Sequence, residues 1–172
     1  AARGDSSGHE GLYFNDSDVY KWLEAASYGL NVDPDWSGKA QVDATIATVA
    51  EAQNADGYIG TPFQIGALEQ RWKALTAKHE LYCIGHLIEA AVAHKEATGL
   101  SSLFDIGRRA ADHVRETFDD QVPPRACGHQ EIELAFARLT EATGDEAYRS
   151  LGAKMIRARG ARPSPFEHEF SD

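Results

Sequence analysis

The stretch His79-Glu80-Leu81-Tyr82-Cys83-Ile84-Gly85-His86-Leu87-Ile88-Glu89, closing at Glu96-Ala97-Thr98-Gly99, decides the fold. Leu81, Ile84, Ile88 and Val92 recur at helical spacing and make one apolar face. The opposite face carries His79, Cys83, His86, Ala90, Ala93 and Ala97, with no fixed charge. A helix without a charged face is covered on both sides or lines a cavity, so this one reads as an inner helix. The design returns downstream. Gly128-His129-Gln130-Glu131-Ile132-Glu133-Leu134 opens a second mostly apolar segment, which closes at Glu141-Ala142-Thr143-Gly144.

Each inner segment is followed at once by an amphipathic one. Residues 101–118 set Leu103, Phe104, Gly107, Ala110, Ala111, Val114 and Phe118 against Asp105, Arg108, Arg109, Asp112, Arg115 and Glu116, the pattern of an outer helix with a wet side. Residues 145–159 place Tyr148, Leu151, Met155 and Ile156 inward. Gly99 and Gly144 are natural C-terminal glycines, and Ser101 and Asp145 are candidate starts. Upstream, residues 16–28 carry Val19, Trp22, Leu23 and Ala26 on one face, and residues 38–53 carry Val42, Ile46, Val49 and Ala50. The long connection 54–78 contains the turn signals Asp56-Gly57 and Thr61-Pro62; such a length points to a functional or packed segment. Beyond Gly160, Pro163 and Pro165 interrupt any helical pattern.

The pattern predicts an all-α fold of six helices in three αα-hairpins, ordered inner then outer. The two Glu-Ala-Thr-Gly closures are spaced like helical-pair repeats of ~40–47 residues. Three such hairpins make about half of a six-hairpin toroid, an (α/α)6 barrel. Residues 1–172 then read as one partial domain whose open inner face favours self-association.

Composition narrows the function. The chain has 172 residues and a net charge of −10, which repels nucleic acid and anionic membranes alike. No apolar run approaches the ~20 residues of a membrane span, and the first residues lack a signal-peptide core. Two cysteines make no disulfide framework, so a reducing, cytoplasmic setting is expected.

Three chemistries compete. His79, Cys83 and His86 share one helical face and, with Cys127 and His129, contain the donor types of a zinc site; buried, inert cysteines are the plainer reading. His79 and His129 at helix openings also suit hydroxyl recognition, since an imidazole offers donor and acceptor together. Tyr58, Phe63, Trp72 and Tyr82 are either aromatic pocket walls or core. The carboxylate pairs Asp16/Asp18 and Glu131/Glu133 have the composition of a hydrolytic pair, but helix capping and orientation of His129 account for them, and neither is assigned a catalytic role.

Four blocks in order carry a family resemblance: Phe14-Asn15-Asp16-Ser17-Asp18-Val19-Tyr20-Lys21-Trp22-Leu23-Glu24-Ala25, Ala52-Gln53-Asn54-Ala55-Asp56-Gly57-Tyr58, and the two histidine blocks quoted above. Together they resemble glycoside hydrolase family 127, the β-L-arabinofuranosidases. The resemblance implies an (α/α)6 catalytic barrel, retaining hydrolysis of terminal β-L-arabinofuranose, a zinc-bound cysteine nucleophile and a glutamate acid/base. Cys83 and Cys127 match neither the nucleophile nor the zinc ligands, so no catalytic or metal residue is carried over and the zinc has no ligands here. His79 and His129 look like the family's sugar-contacting histidines, with His86 as the fallback for the first. The expectation is therefore a glycosidase fragment that contributes sugar-binding residues to an L-arabinofuranoside site. The alternatives are a stand-alone helical-repeat binding module, free to form oligomers, and a small zinc protein.

Overall fold

A computed structural model describes residues 9–121 and 125–162. Those residues form helices and connections, with no strand among them. The long helices are α1 (Asp16–Val32), α2 (Lys39–Ala52), α5 (Glu80–Thr98), α6 (Ser102–Phe118), α7 (Glu131–Thr143) and α8 (Glu146–Arg159). Two short helices, α3 (Thr61–Gln64) and α4 (Leu75–Lys78), and a 3-10 turn at Leu68–Gln70 lie in the long connection. The expected six long helices are all present. The first runs four residues further than its apolar pattern indicated, and the fifth starts two residues later. The prolines at 163 and 165 lie outside the described residues.

Two layers result. α5 is central, packed against α1 on one side and α7 on the other, with α6 behind it; α8 backs α7, and α2 touches both α1 and α6. The inner layer is thus α1, α5, α7 and the outer α2, α6, α8, the alternation read from the sequence. Leu81, Ile84, Leu87 and Ile88 of α5 are fully buried, which fits a helix covered on most of its circumference. α5 and α7 both stop at left-handed glycines, Gly99 at φ 73° and Gly144 at φ 75°. Asp145 caps α8 by accepting from the Ala147 amide at 2.9 Å. Ser101 precedes α6 but caps nothing; its hydroxyl accepts from Lys95 instead.

Several side chains sit differently from the helical reading. Val19 and Trp22 of α1 are exposed, because the core side of that helix is Tyr20, Leu23, Ala26, Ser27 and Leu30. Ile156 and Ala50 are also exposed. Cys83, Ala90 and Ala93 belong to the buried circumference of α5 rather than to a face shared with His79 and His86. On α5, Tyr82 and His86 are half-buried, Glu96 is exposed, and the buried Glu89 is paired with Arg138, so this stripe does carry charge. Asp16 is not a cap: its carboxylate accepts from the Thr61 amide at 2.8 Å and ties the long connection to α1.

That connection is packed, not a flap. Tyr58, Phe63 and Trp72 are buried in the core; Phe63 also lines a surface groove with Tyr13 and Lys78. Glu80, the first residue of α5, holds them. Its buried carboxylate accepts from the Tyr58 hydroxyl at 2.8 Å and from the Trp72 amide at 2.8 and 3.1 Å. Trp72 and His79, with φ of 66° and 56°, take left-handed backbone that costs a non-glycine residue energy, and this anchor ties Trp72 to the residue that follows His79.

Burial pushes the Glu80 carboxyl up to about 7, with the hydrogen bonds from Tyr58 and Trp72 pulling the other way. The folded protein therefore holds this proton more tightly than the unfolded chain. The resulting stabilisation is complete below the ordinary value of 4.5 and is lost as pH rises through about 7. Glu131 adds a slope of the same sign and His86 one of opposite sign. Glu80→Gln should remove part of the decline, so that urea midpoints measured at about pH 5 and about pH 8 differ less than in the parent. An unchanged difference would contradict this assignment.

Candidate sugar-binding site

The site is built where the inner helices begin. His79 sits in the last position before α5, and its left-handed backbone sets the direction of the ring. His129 lies two residues before α7 in an irregular segment. Two contacts hold that segment against α4: the Cys127 thiol donates to the Leu75 carbonyl at 3.5 Å, and Gly128 runs so close to Thr76 that a Cβ there would lie 3.1 Å from its carbonyl oxygen. The rings of His79 and His129 are thereby brought to 4.9 Å between centroids. Tyr82 completes a triangle, 6.1 Å from His79 and 4.9 Å from His129, and Phe14 stands edge-on to His79 at 5.3 Å.

One turn further along α5, His86 stands edge-on to Tyr82 at 4.5 Å, and its Nδ1 lies 3.1 Å from the Glu131 carboxylate, off line for a hydrogen bond. Lys21 of α1 donates to the Tyr82 hydroxyl at 2.6 Å. Burial first, and the nearby Lys21 charge and His129 second, push His86 down to about 4, so its ring is neutral at pH 7. Burial, reinforced by the negative charges of Glu89 and Glu24, pushes Glu131 up to about 7. Further down the same face, Arg138 of α7 binds Glu89 at 2.5 Å and reaches Glu96 at 3.4 Å, Tyr28 at 3.4 Å and Glu24 at 3.8 Å. That network ties α1, α5 and α7 together.

The structure brings His79, His129 and His86 to one face. It does not bring the cysteines there. Both thiols are buried and donate to backbone carbonyls, Cys83 to Phe14 at 3.7 Å and Cys127 to Leu75 at 3.5 Å, and burial raises both above the ordinary thiol value. A protonated, inward-facing thiol is neither a metal ligand nor a nucleophile. Among the described residues no three His, Cys, Asp or Glu side chains are grouped to hold an ion, so these residues do not fit the zinc that the family resemblance implies.

The sequence reading missed Lys21, Glu131 and the Arg138 network as members of this face. Lys21, Glu24 and Tyr28 recur at i, i+3 and i+7, which was legible; on an unpaired helix such a stripe reads as a solvated side. Glu133 was expected to orient the His129 ring; its carboxylate is bonded instead to Arg159, which holds the His129 backbone. The buried Glu133 carboxylate accepts from Arg159 Nε at 3.0 Å, while Arg159 Nη2 donates to the His129 backbone carbonyl at 2.5 Å.

Three imidazoles, a phenol and an ammonium gathered on one face offer donors and acceptors to hydroxyl groups and include no thiol nucleophile. Comparison with known proteins gives the family of the chain. The profile of the β-L-arabinofuranosidase GH127 catalytic domain matches residues 2–172. The chain is 42% identical over 159 residues to a non-reducing end β-L-arabinofuranosidase of Bifidobacterium longum subsp. longum, covering 89% of this chain and 24% of that protein. It superposes on a GH127 β-L-arabinofuranosidase from Geobacillus stearothermophilus T6 with a TM-score of 0.90 at 42% identity, covering 98% of this chain and 27% of the other. A second GH127 β-arabinofuranosidase structure matches with a TM-score of 0.84 at 35% identity, covering 92% and 27%. The chain thus spans about a quarter of the length of these relatives.

Proposed function

Because the chain belongs to the GH127 β-L-arabinofuranosidase catalytic-domain family, we propose that it supplies sugar-binding residues of a glycosidase acting on β-L-arabinofuranosides. The observation that carries this reading is the 4.9 Å approach of the His79 and His129 rings at the open end of the inner layer. Imidazole nitrogens at that separation can bond two hydroxyls of one small sugar, and Tyr82 adds a third polar contact with an aromatic face. The three hairpins form part of an (α/α)6 ring whose axis runs along the open face of α1, α5 and α7. The nucleophile and the acid/base are contributed from outside these 172 residues, since Cys83 and Cys127 are buried and chemically inert.

Two outcomes follow. Calorimetric titration of the chain with L-arabinose should show weak saturable binding that falls about threefold to tenfold in His79→Ala and in His129→Ala, the worth of one hydrogen bond each. An aryl β-L-arabinofuranoside should not be turned over by the chain alone. Binding that survives both substitutions unchanged, or turnover by the isolated chain, would overturn the reading.

A further inference from the structure

Glu131, the first residue of α7, carries a carboxylate that the chain leaves uncommitted. Its side chain is 16% exposed, and that of His86 beside it 15%. The missing side chain of Gly85 lets Glu131 pack onto α5, since a Cβ there would come within 2.7 Å of its Cγ. A carboxylate so far out of water is ordinarily paired with a cation or bonded to amides. Among the described residues no hydrogen bond reaches this one.

The nearby cations are engaged elsewhere. Lys21 of α1 donates to the Tyr82 hydroxyl at 2.6 Å, and on α7 itself Arg138 binds Glu89 at 2.5 Å. Arg159 of α8 is held by Glu133. His86 of α5 remains, and its ring is neutral at pH 7, with Nδ1 3.1 Å from the carboxylate and off line. A charged imidazole there would close an ion pair over Glu131; a neutral one leaves the carboxyl free. The other charged groups that face it, Glu24, Glu89 and Glu133, only repel it. An acidic residue at a helix start also favours the helix dipole, but that benefit requires no burial against a histidine.

Glu131 adjoins the histidine pair. It lies two residues past His129, and the Tyr82 ring stands 4.9 Å from the His129 ring and 4.5 Å from the His86 ring. We infer that Glu131 is a further sugar-contacting residue, whose carboxylate accepts a hydrogen bond from a hydroxyl of the same sugar that His79 and His129 bind. The inference rests on the reading of those two histidines as sugar contacts. It gives the site a charge-assisted acceptor, which selects for a free hydroxyl at that end of the ligand.

The sign of the pH dependence follows. Burial, with the charges of Glu89 and Glu24, places the free Glu131 carboxyl at about 7. A hydroxyl donating to the carboxylate stabilises its ionised form. Sugar binding therefore draws the Glu131 titration to lower pH, and the contribution of this contact to affinity grows as pH rises through about 7.

The test is an NMR pH titration of the 172-residue chain with and without L-arabinose. It follows the side-chain carboxyl carbon of Glu131 together with the imidazole signals of His79 and His129. With the sugar, both histidines should shift and the Glu131 midpoint should fall. Glu131→Gln should weaken L-arabinose about threefold at about pH 8 and less at about pH 6, where the parent carboxyl is itself largely neutral. Histidines that respond while the Glu131 midpoint stays or rises would overturn the inference and leave the site reading intact. A falling Glu131 midpoint with silent histidines would overturn the site reading and the shared ligand alike. Silence at all three side chains would overturn both.

Discussion

Gly85→Ala should lower the stability of the chain by about 2–3 kcal/mol, the range of an overpacked core position. The cause is the contact between α5 and α7. A Cβ at Gly85 would lie 2.7 Å from Glu131 Cγ, 3.0 Å from the Glu131 carbonyl carbon and 3.0 Å from the Ile132 amide nitrogen. Two of these three atoms are backbone at the start of α7, so relief requires the helices to part. Parting them also widens the gap between His86 and Glu131, now 3.1 Å, and displaces the segment that carries His129. Gly152 is the internal control. It is a buried helical glycine too, yet a Cβ there would meet its nearest neighbours at 3.6 Å, an ordinary contact. Gly152→Ala should therefore be neutral or should stabilise by up to about 1 kcal/mol through helix propensity. Urea denaturation of the two variants checks the contrast; similar midpoints would show that α5 and α7 are not in close backbone contact.

Arg159→Met should cost more, about 3–5 kcal/mol, because it leaves a buried charge without its partner. Glu133 keeps only 3% of its side chain exposed, and Arg159 Nη2 lies 2.9 Å from its carboxylate. The methionine preserves the length of the side chain and its apolar contacts but none of its donors. Converting Glu133 to leucine in the same variant should restore most of the loss, since the uncompensated charge is then gone. The recovery should not extend to His129, whose backbone carbonyl has lost the Arg159 donor in both variants. Stability recovered together with an undisturbed His129 imidazole signal would show that this strut serves packing alone. Lys154→Gln, which breaks the other cationic strut of α8, to Asp119 at the end of α6, should leave His129 unmoved.

Much of this was legible in the sequence, and the parts that were not have physical reasons. The inner–outer alternation follows from α6, whose charged side is continuous, and α5, whose apolar residues reach round most of the helix. The His79 and His129 blocks stood out because each opens an inner segment. Periodicity does not tell which polar stripe of an inner helix faces a partner. Arg138 interrupts the otherwise apolar pattern of α7, and with Glu89 it forms the ion pair that joins α7 to α5. For Val19 and Trp22 the error was one of phase: a 17-residue helix with Tyr20, Leu23, Ala26 and Leu30 at spacings of three and four had a better stripe next to the chosen one. The role of Glu80 was hidden for a different reason. Its partners, Tyr58 and Trp72, lie in a connection whose path has no period to read, and only the folded backbone shows that both bond one carboxylate.

The account depends on His79 and His129 acting together on one small ligand, and chemical-shift titration of their Cε1–H signals with L-arabinose measures that directly. The two imidazoles should shift along one saturation curve with a shared dissociation constant, while His94, buried away from the open face, stays still. Shifts with separate constants, or movement at only one of the two rings, would contradict it.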